Sequence, residues 1–155
     1  MRKTIWIEQK EKIEEIISKA EVCALAMIDT EGKPYVVMMN FGYRDGYFYF
    51  HGDHNGKKMD ALRQNKEVSI FLSVDHKLVF QHENVACSYG MYYRSVSAQG
   101  RVEFIEEYED KINALNIIMQ QYTKRNFNYN PPSIHGVSVF RVKVENIRCK
   151  QFGVY

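Results

Sequence analysis

Cysteine is scarce in this chain and poorly placed for cross-linking. Only Cys23, Cys87 and Cys149 occur among 155 residues. The number is odd and no two form a C-x-x-C pair, which argues against a disulfide framework and a zinc ribbon. Cys23 lies inside an apolar run and reads as a small buried hydrophobe. Excess charge is missing too. The net charge is +2, which gives no support to the clustered basic surface that a nucleic acid needs. No apolar run approaches the ~20 residues of a membrane span. The opening MRKTIWIEQKEK holds no signal-peptide core. These absences lead us to expect a cytoplasmic protein with reduced thiols. Catalytic signatures are also missing. No Gly-x-Ser-x-Gly, Walker or Gly-x-Gly-x-x-Gly pattern occurs, which weakens the hydrolase, P-loop and Rossmann readings.

Aromatic residues are what the chain has in quantity: 11 Tyr and 9 Phe. They suit a pleated, half-buried strand face. The length fits one domain, expected to span residues 1–155. Ile13, Ile16, Ile17 and Ala20 predict a short amphipathic helix. The runs 22–28, 35–43 and 47–51 predict three strands in an antiparallel meander, with a hairpin at Asp45-Gly46. Residues 55–65 predict a helix with Met59 and Leu62 on one face. Residues 67–74 and 77–81 predict further strands, and 84–91 a loop. Residues 92–105 predict one long strand bent at Gly100. Tyr108, Ile112, Leu115, Met119 and Tyr122 predict a helix over 106–122. A polar loop over 125–132, a strand over 137–144 and a final short strand or tail over 147–155 complete the chain. Strands joined mainly by short turns point to a mainly β fold: an antiparallel barrel with flanking helices.

The segment His51-Gly-Asp-His-Asn-Gly-Lys-Lys58 falls between a strand end and a helix start. Asn55 is placed to cap that helix. The first amides of a helix have no internal partners and carry its positive dipole end. Gly56 would let an anion approach the backbone, and Lys57 and Lys58 add charge. Together they make a phosphate seat. A plain glycine turn with two solvated lysines is the alternative. His51, His54, His76, His82 and Cys87 show no H-x-x-x-H or C-x-x-C spacing, so no metal site is expected. Arg94 and Ser95 would add a donor fork and a hydroxyl to a phosphate.

Three stretches carry a family likeness. They are Pro34-Tyr-Val-Val-Met-Met-Asn-Phe-Gly-Tyr43, Tyr49-Phe-His-Gly-Asp-His-Asn-Gly-Lys-Lys-Met-Asp-Ala-Leu62 and Tyr93-Arg-Ser-Val-Ser-Ala-Gln-Gly100. In order and spacing the chain resembles the nitroimidazole-resistance proteins. These belong to the pyridoxamine phosphate oxidase-like group of FMN-binding split barrels. The resemblance runs from Val22 onward through most of the chain. It implies a split barrel that binds FMN, and a homodimer with two FMN sites at the subunit interface. By resemblance, Val37, Met38, Met39 and Asn40 lie along the flavin ring, with His51 and Gly52 at the ring end. Gly56, Lys57 and Lys58 hold the phosphate. Lys58 matches the family's phosphate lysine, seven residues before Asn65. Arg94, Ser95, Val96 and Lys150 complete the site. Met38 and Lys66 replace usual prolines, and Cys149 replaces a usual glycine. These departures bear on the substrate side more than on cofactor binding.

The resemblance implies an FMN-dependent reductase of small aromatic substrates such as 5-nitroimidazoles, with NAD(P)H as a donor. His51 is the expected proton donor, since imidazole titrates near neutral pH. A structural hydrogen bond from His51 to FMN is the alternative role. A flavin carrier or redox sensor without turnover would carry the same phosphate seat.

Overall fold

A computed structural model describes residues 3–155. In chain order they form β1 (Thr4–Ile7), α1 (Lys10–Lys19), β2 (Cys23–Ile28), β3 (Pro34–Met39), β4 (Gly42–Arg44), β5 (Tyr47–Gly52) and α2 (Lys57–Gln64). Then follow β6 (Glu67–Val79), β7 (Gly90–Ile105), α3 (Tyr108–Gln120), α4 (Pro131–His135) and β8 (Ser138–Phe152). The strand order is β3-β2-β6-β7-β8-β5-β4, with β1 added on β8, and all pairings are antiparallel. The sheet curls, but its end strands β3 and β4 do not pair with each other. This is the mainly β, antiparallel split barrel that the sequence leads one to expect. Among the described residues no helix is long and apolar enough to cross a membrane.

Alternation of side chains builds the core. Cys23, Leu25 and Met27 of β2, Val68, Ile70 and Leu72 of β6, and Val96, Ala98 and Val102 of β7 all point inward. Phe48, Phe50, Phe140 and Val142 fill the other end. Each such buried Val, Leu, Ile, Met or Phe side chain contributes about 1.5–3 kcal/mol relative to exposure. A second cluster joins α3 to the sheet through Ala114, Ile117 and Ile118 against Tyr49 and Val139. At Gly100 the pairing of β7 with β8 shifts register. A Cβ there would stand 2.1 Å from the Lys143 carbonyl oxygen. Only glycine fits, and the strand bends where expected.

The expected three-strand meander is not formed. Its middle run breaks at Asn40-Phe41, so β3 pairs β2 at one end of the sheet and β4 pairs β5 at the other. The break is held from outside. The Tyr122 hydroxyl accepts from the Phe41 amide (3.1 Å) and donates to the Glu21 carbonyl (2.8 Å). Gly42 lies so close to α3 that a Cβ would fall 2.6 Å from the Ile117 carbonyl oxygen. Helix packing, which a strand pattern does not encode, thus sends the chain across the barrel.

Other differences are local: the runs 67–74 and 77–81 form one strand, β6, with a register shift against β7 between Val74 and Lys77. The two runs 137–144 and 147–155 form one strand, β8, because the register shift opposite Gly100 absorbs Glu145. Pro131 and Pro132 open α4 rather than ending a loop; Asn130 caps it by accepting from the Ser133 amide at 2.9 Å. The first strand, β1, was not anticipated.

Candidate functional site

β5 and α2 are joined by the turn 53–56, and the candidate site is built around it. Along β5, Phe48 and Phe50 point into the core, so Gly52 faces the same way by alternation. A Cβ on Gly52 would stand 3.1 Å from Lys58 Nζ. The same ammonium lies 3.5 Å from Met39 Sδ at the end of β3. Strands β3 and β5 do not pair. Lys58 therefore reaches into the gap between them, half-buried, and a thioether is a weak acceptor for an ammonium. Among the described residues Lys58 has no carboxylate partner. A cation placed this way gains most from an anion brought to it.

Gly56 directly precedes α2 with φ +117° and open space where a Cβ would be. Only glycine takes this conformation without strain. The first backbone bond of the helix runs from the Asp60 amide to the Gly56 carbonyl, 3.0 Å. The amides of Lys57, Lys58 and Met59 thus stand ahead of the ladder. Asn55 does not cap the helix. Gly56 occupies the cap position and no side chain bonds there, which leaves the helix end open to an outside acceptor. Open amides, a glycine with no Cβ and a poorly partnered ammonium fit a phosphate group.

The two lysines are not equivalent. Lys57 Nζ stands 3.8 Å from Asp29 Oδ2 and 4.3 Å from the centre of the Tyr35 ring. Asp29 is itself buried and accepts from the Glu31 and Lys33 amides at 2.9 Å each. The Lys33 amide, the Glu31 amide and the charge of Lys57, in that order, hold its carboxyl below the usual range against the opposing cost of burial. Lys57 thus has partners on the β2–β3 turn, and Lys58 is the freer cation.

His51 pairs with Val139 across β5 and β8. It keeps contact with solvent, yet desolvation by its surroundings and then the charge of Lys58 lower its pKa below the ordinary imidazole value. Neutral imidazole is favoured at pH 7.

The other expected residues form a second group. Ser95 sits opposite Lys150 across β7 and β8 and opposite Ser73 across β6. Ser95 and Val96 are buried. Lys150 Nζ lies 5.6 Å from the Tyr93 ring centre. Two of the five N–H donors of Arg94 are engaged: Nη1 with Asp75 at 2.7 Å and Nε with Gln151 at 2.9 Å. The Tyr155 ring covers its guanidinium at 4.1 Å. Arg94 thus fastens the chain end to β6 through Nη1 and Nε. Asn40 bonds the Tyr122 hydroxyl at 3.2 Å. On β3, Met38 and Val36 are 67% and 59% exposed, while Met39 is buried.

Sequence reading missed three contributors: Asp29, which engages Lys57 from the next turn, and His54 and Arg63, which grip the turn itself. Asp29 begins an Asp-Thr-Glu-Gly turn, a visible signal for a side chain that bonds its own backbone. His54 and Arg63 carry no such signal. Among the described residues no three His, Cys, Asp or Glu side chains gather as a metal site would need.

Known proteins share this architecture. A crystal structure of a candidate 5-nitroimidazole antibiotic resistance protein from Bacteroides thetaiotaomicron is 46% identical, with TM-score 0.87 over 99% of this chain and 90% of that one. An FAD and heme binding protein from Mycobacterium smegmatis has TM-score 0.82 at 14% identity, over 94% of this chain and 72% of that one. An FAD-binding protein from Mesorhizobium loti has TM-score 0.66 at 19% identity, over 97% and 98%. At such identities these last two show the shared fold alone. No curated protein matches the chain. The profile of the pyridoxamine 5'-phosphate oxidase family matches residues 9–151. With the barrel split beside α2 and nearly the whole chain inside that match, this protein belongs to the pyridoxamine 5'-phosphate oxidase family, whose members bind flavins.

Proposed function

We propose that the chain is an FMN-dependent oxidoreductase that reduces small aromatic compounds of the 5-nitroimidazole kind with electrons from NAD(P)H. The observation that carries this reading is the setting of Lys58. Its ammonium stands in the barrel split between Met39 and Gly52, beside the open amides at the start of α2. The 46% identity to a candidate nitroimidazole-resistance protein supports the substrate class.

In this reading Lys58 and the amides from Gly56 onward hold the phosphate, and Lys57 adds charge from its place beside Asp29. Val37, Met38, Met39 and Asn40 run along the ring, with His51 and Gly52 at its end. FMN held there would supply the redox chemistry between the nicotinamide donor and the acceptor. His51 holds a hydrogen bond beside the ring and relays a proton from water to the reduced substrate. Its lowered pKa suits a relay that is neutral between turnovers.

The reading also takes the protein as a homodimer. Val36 and Met38 of β3 and Phe71 of β6 share the outer face of the sheet through Ala24, and all three are exposed. With Val22 and His76 they line a groove of about 400 Å³. An apolar face of this kind on a soluble chain marks an interaction surface.

Stopped-flow mixing of the FMN-loaded protein with NADH and NADPH, followed by a 5-nitroimidazole, tests the activity. Bleaching of the flavin and its reoxidation by the nitro compound support it. Bound FMN that neither nucleotide bleaches would make the protein a flavin carrier instead.

A further inference from the structure

The turn between β5 and α2 is gripped by a side chain that the phosphate reading leaves without a role. His54 Nε2 lies 2.7 Å from the His135 carbonyl oxygen. A carbonyl only accepts, so this nitrogen carries the hydrogen. Nδ1 lies 3.2 Å from Ser138 Oγ, which as a hydroxyl can serve either as donor or acceptor to it. One imidazole bridges the last residue of α4 and the first residue of β8. From the opposite side Arg63 of α2 donates to the His54 carbonyl, and Arg63 is steadied by Asp60 at 3.7 Å.

The anchor that His54 holds is firm. Buried Lys111 donates to the Val137 carbonyl at 2.8 Å and to the Ile134 carbonyl at 3.3 Å. Ile134 is fully buried. Two residues after His54, Gly56 holds φ +117° with nothing against it. A turn with such a glycine has many alternative conformations. A tether just before it removes that entropy in advance of binding.

We propose that His54 is a positioning residue. It locks the turn 53–56 so that the amides after Gly56 and the Lys58 ammonium converge on one phosphate, while Arg63 fixes the carbonyl side. The proposal rests on the reading of this turn as the FMN phosphate seat.

The test compares FMN with riboflavin, which has the same ring but no phosphate, on wild type, His54→Ala and His54→Gln, with thermal melts of each. His54→Ala is expected to lower FMN affinity about tenfold while riboflavin affinity stays within about twofold. His54→Gln keeps an N–H for the His135 carbonyl and is expected to recover most of the loss. A merely structural role would weaken both flavins together, and that result overturns the proposal. So does an unchanged ratio of the two affinities. Arg63→Gln, at a half-exposed side chain, carries the same test with the same readings should His54→Ala not fold.

A wild type that binds FMN no better than riboflavin would remove the flavin-phosphate reading itself. The role of His54 is then decided by amide signals of residues 56–58 titrated with inorganic phosphate. Shifts seen in wild type and lost in His54→Ala support the positioning role. Shifts equal in both, or absent from wild type, overturn it.

Discussion

Lys58→Met is the substitution with the most to say about the site. Methionine is one atom shorter than lysine, carries no charge and lies easily beside Met39 and Gly52, where the ammonium stands 3.5 Å from a thioether. No internal ion pair is broken among the described residues, so the melting temperature should stay level or rise. Binding is different. A hydrogen bond to a charged group is worth about 1.5–3 kcal/mol. Loss of one such contact to a phosphate lowers FMN affinity roughly 10- to 150-fold. Riboflavin, without the phosphate, should bind the variant as it binds wild type. Quenching of flavin fluorescence measures both affinities under the same conditions. FMN affinity within about twofold of wild type, or an equal loss for both flavins, would refute the placement of the phosphate at Lys58.

Lys57→Ala should cost FMN less than about 1 kcal/mol, because its exposed ammonium already has Asp29 and Tyr35 beside it; the same titration checks it. His51 should titrate below an ordinary histidine in an NMR pH series, and Lys58→Met should raise its pKa by removing the neighbouring charge while burial keeps part of the shift. The Asp29 carboxyl is held low in the folded state. The unfolded chain therefore takes up that proton first, so stability from Asp29 is full above the unfolded carboxylate pKa and fades as pH falls through the folded one. Asp29→Ala should flatten the acid limb of melting temperature against pH. Gly42→Ala should lower stability by at least about 1–3 kcal/mol in urea unfolding, since its Cβ would overpack against the α3 backbone at 2.6 Å.

The barrel was legible in the sequence wherever a local rule governs it. The apolar run 22–28 and the strand-like run 67–74 each form a strand with one face buried, and Gly100 marks a bend because β8 passes too close for a Cβ. The turn 51–58 was legible for the same reason: glycine and lysine before a helix have a local meaning. What escaped detection depends on distant partners. The break at Asn40-Phe41 is set by Tyr122, some eighty residues away. Arg94 reads as a free donor until β6 turns at Asp75, with φ +57°, and brings a carboxylate to it. His54 reads as a turn residue until Ser138 and His135 arrive from the far end of the chain. The capping role of Asn55 failed because Gly56 itself takes the cap with a positive φ, a choice that leaves the amides free and is therefore tied to the site.

On the proposed reading, the start of α2 and Lys58 form a seat for the phosphate of FMN. Titration of the purified protein with FMN and with riboflavin, read by fluorescence and absorbance, tests it most directly. One FMN per chain, a yellow protein and clearly weaker riboflavin binding are expected. A protein that stays colourless with FMN, or that binds the two flavins equally well, would contradict it.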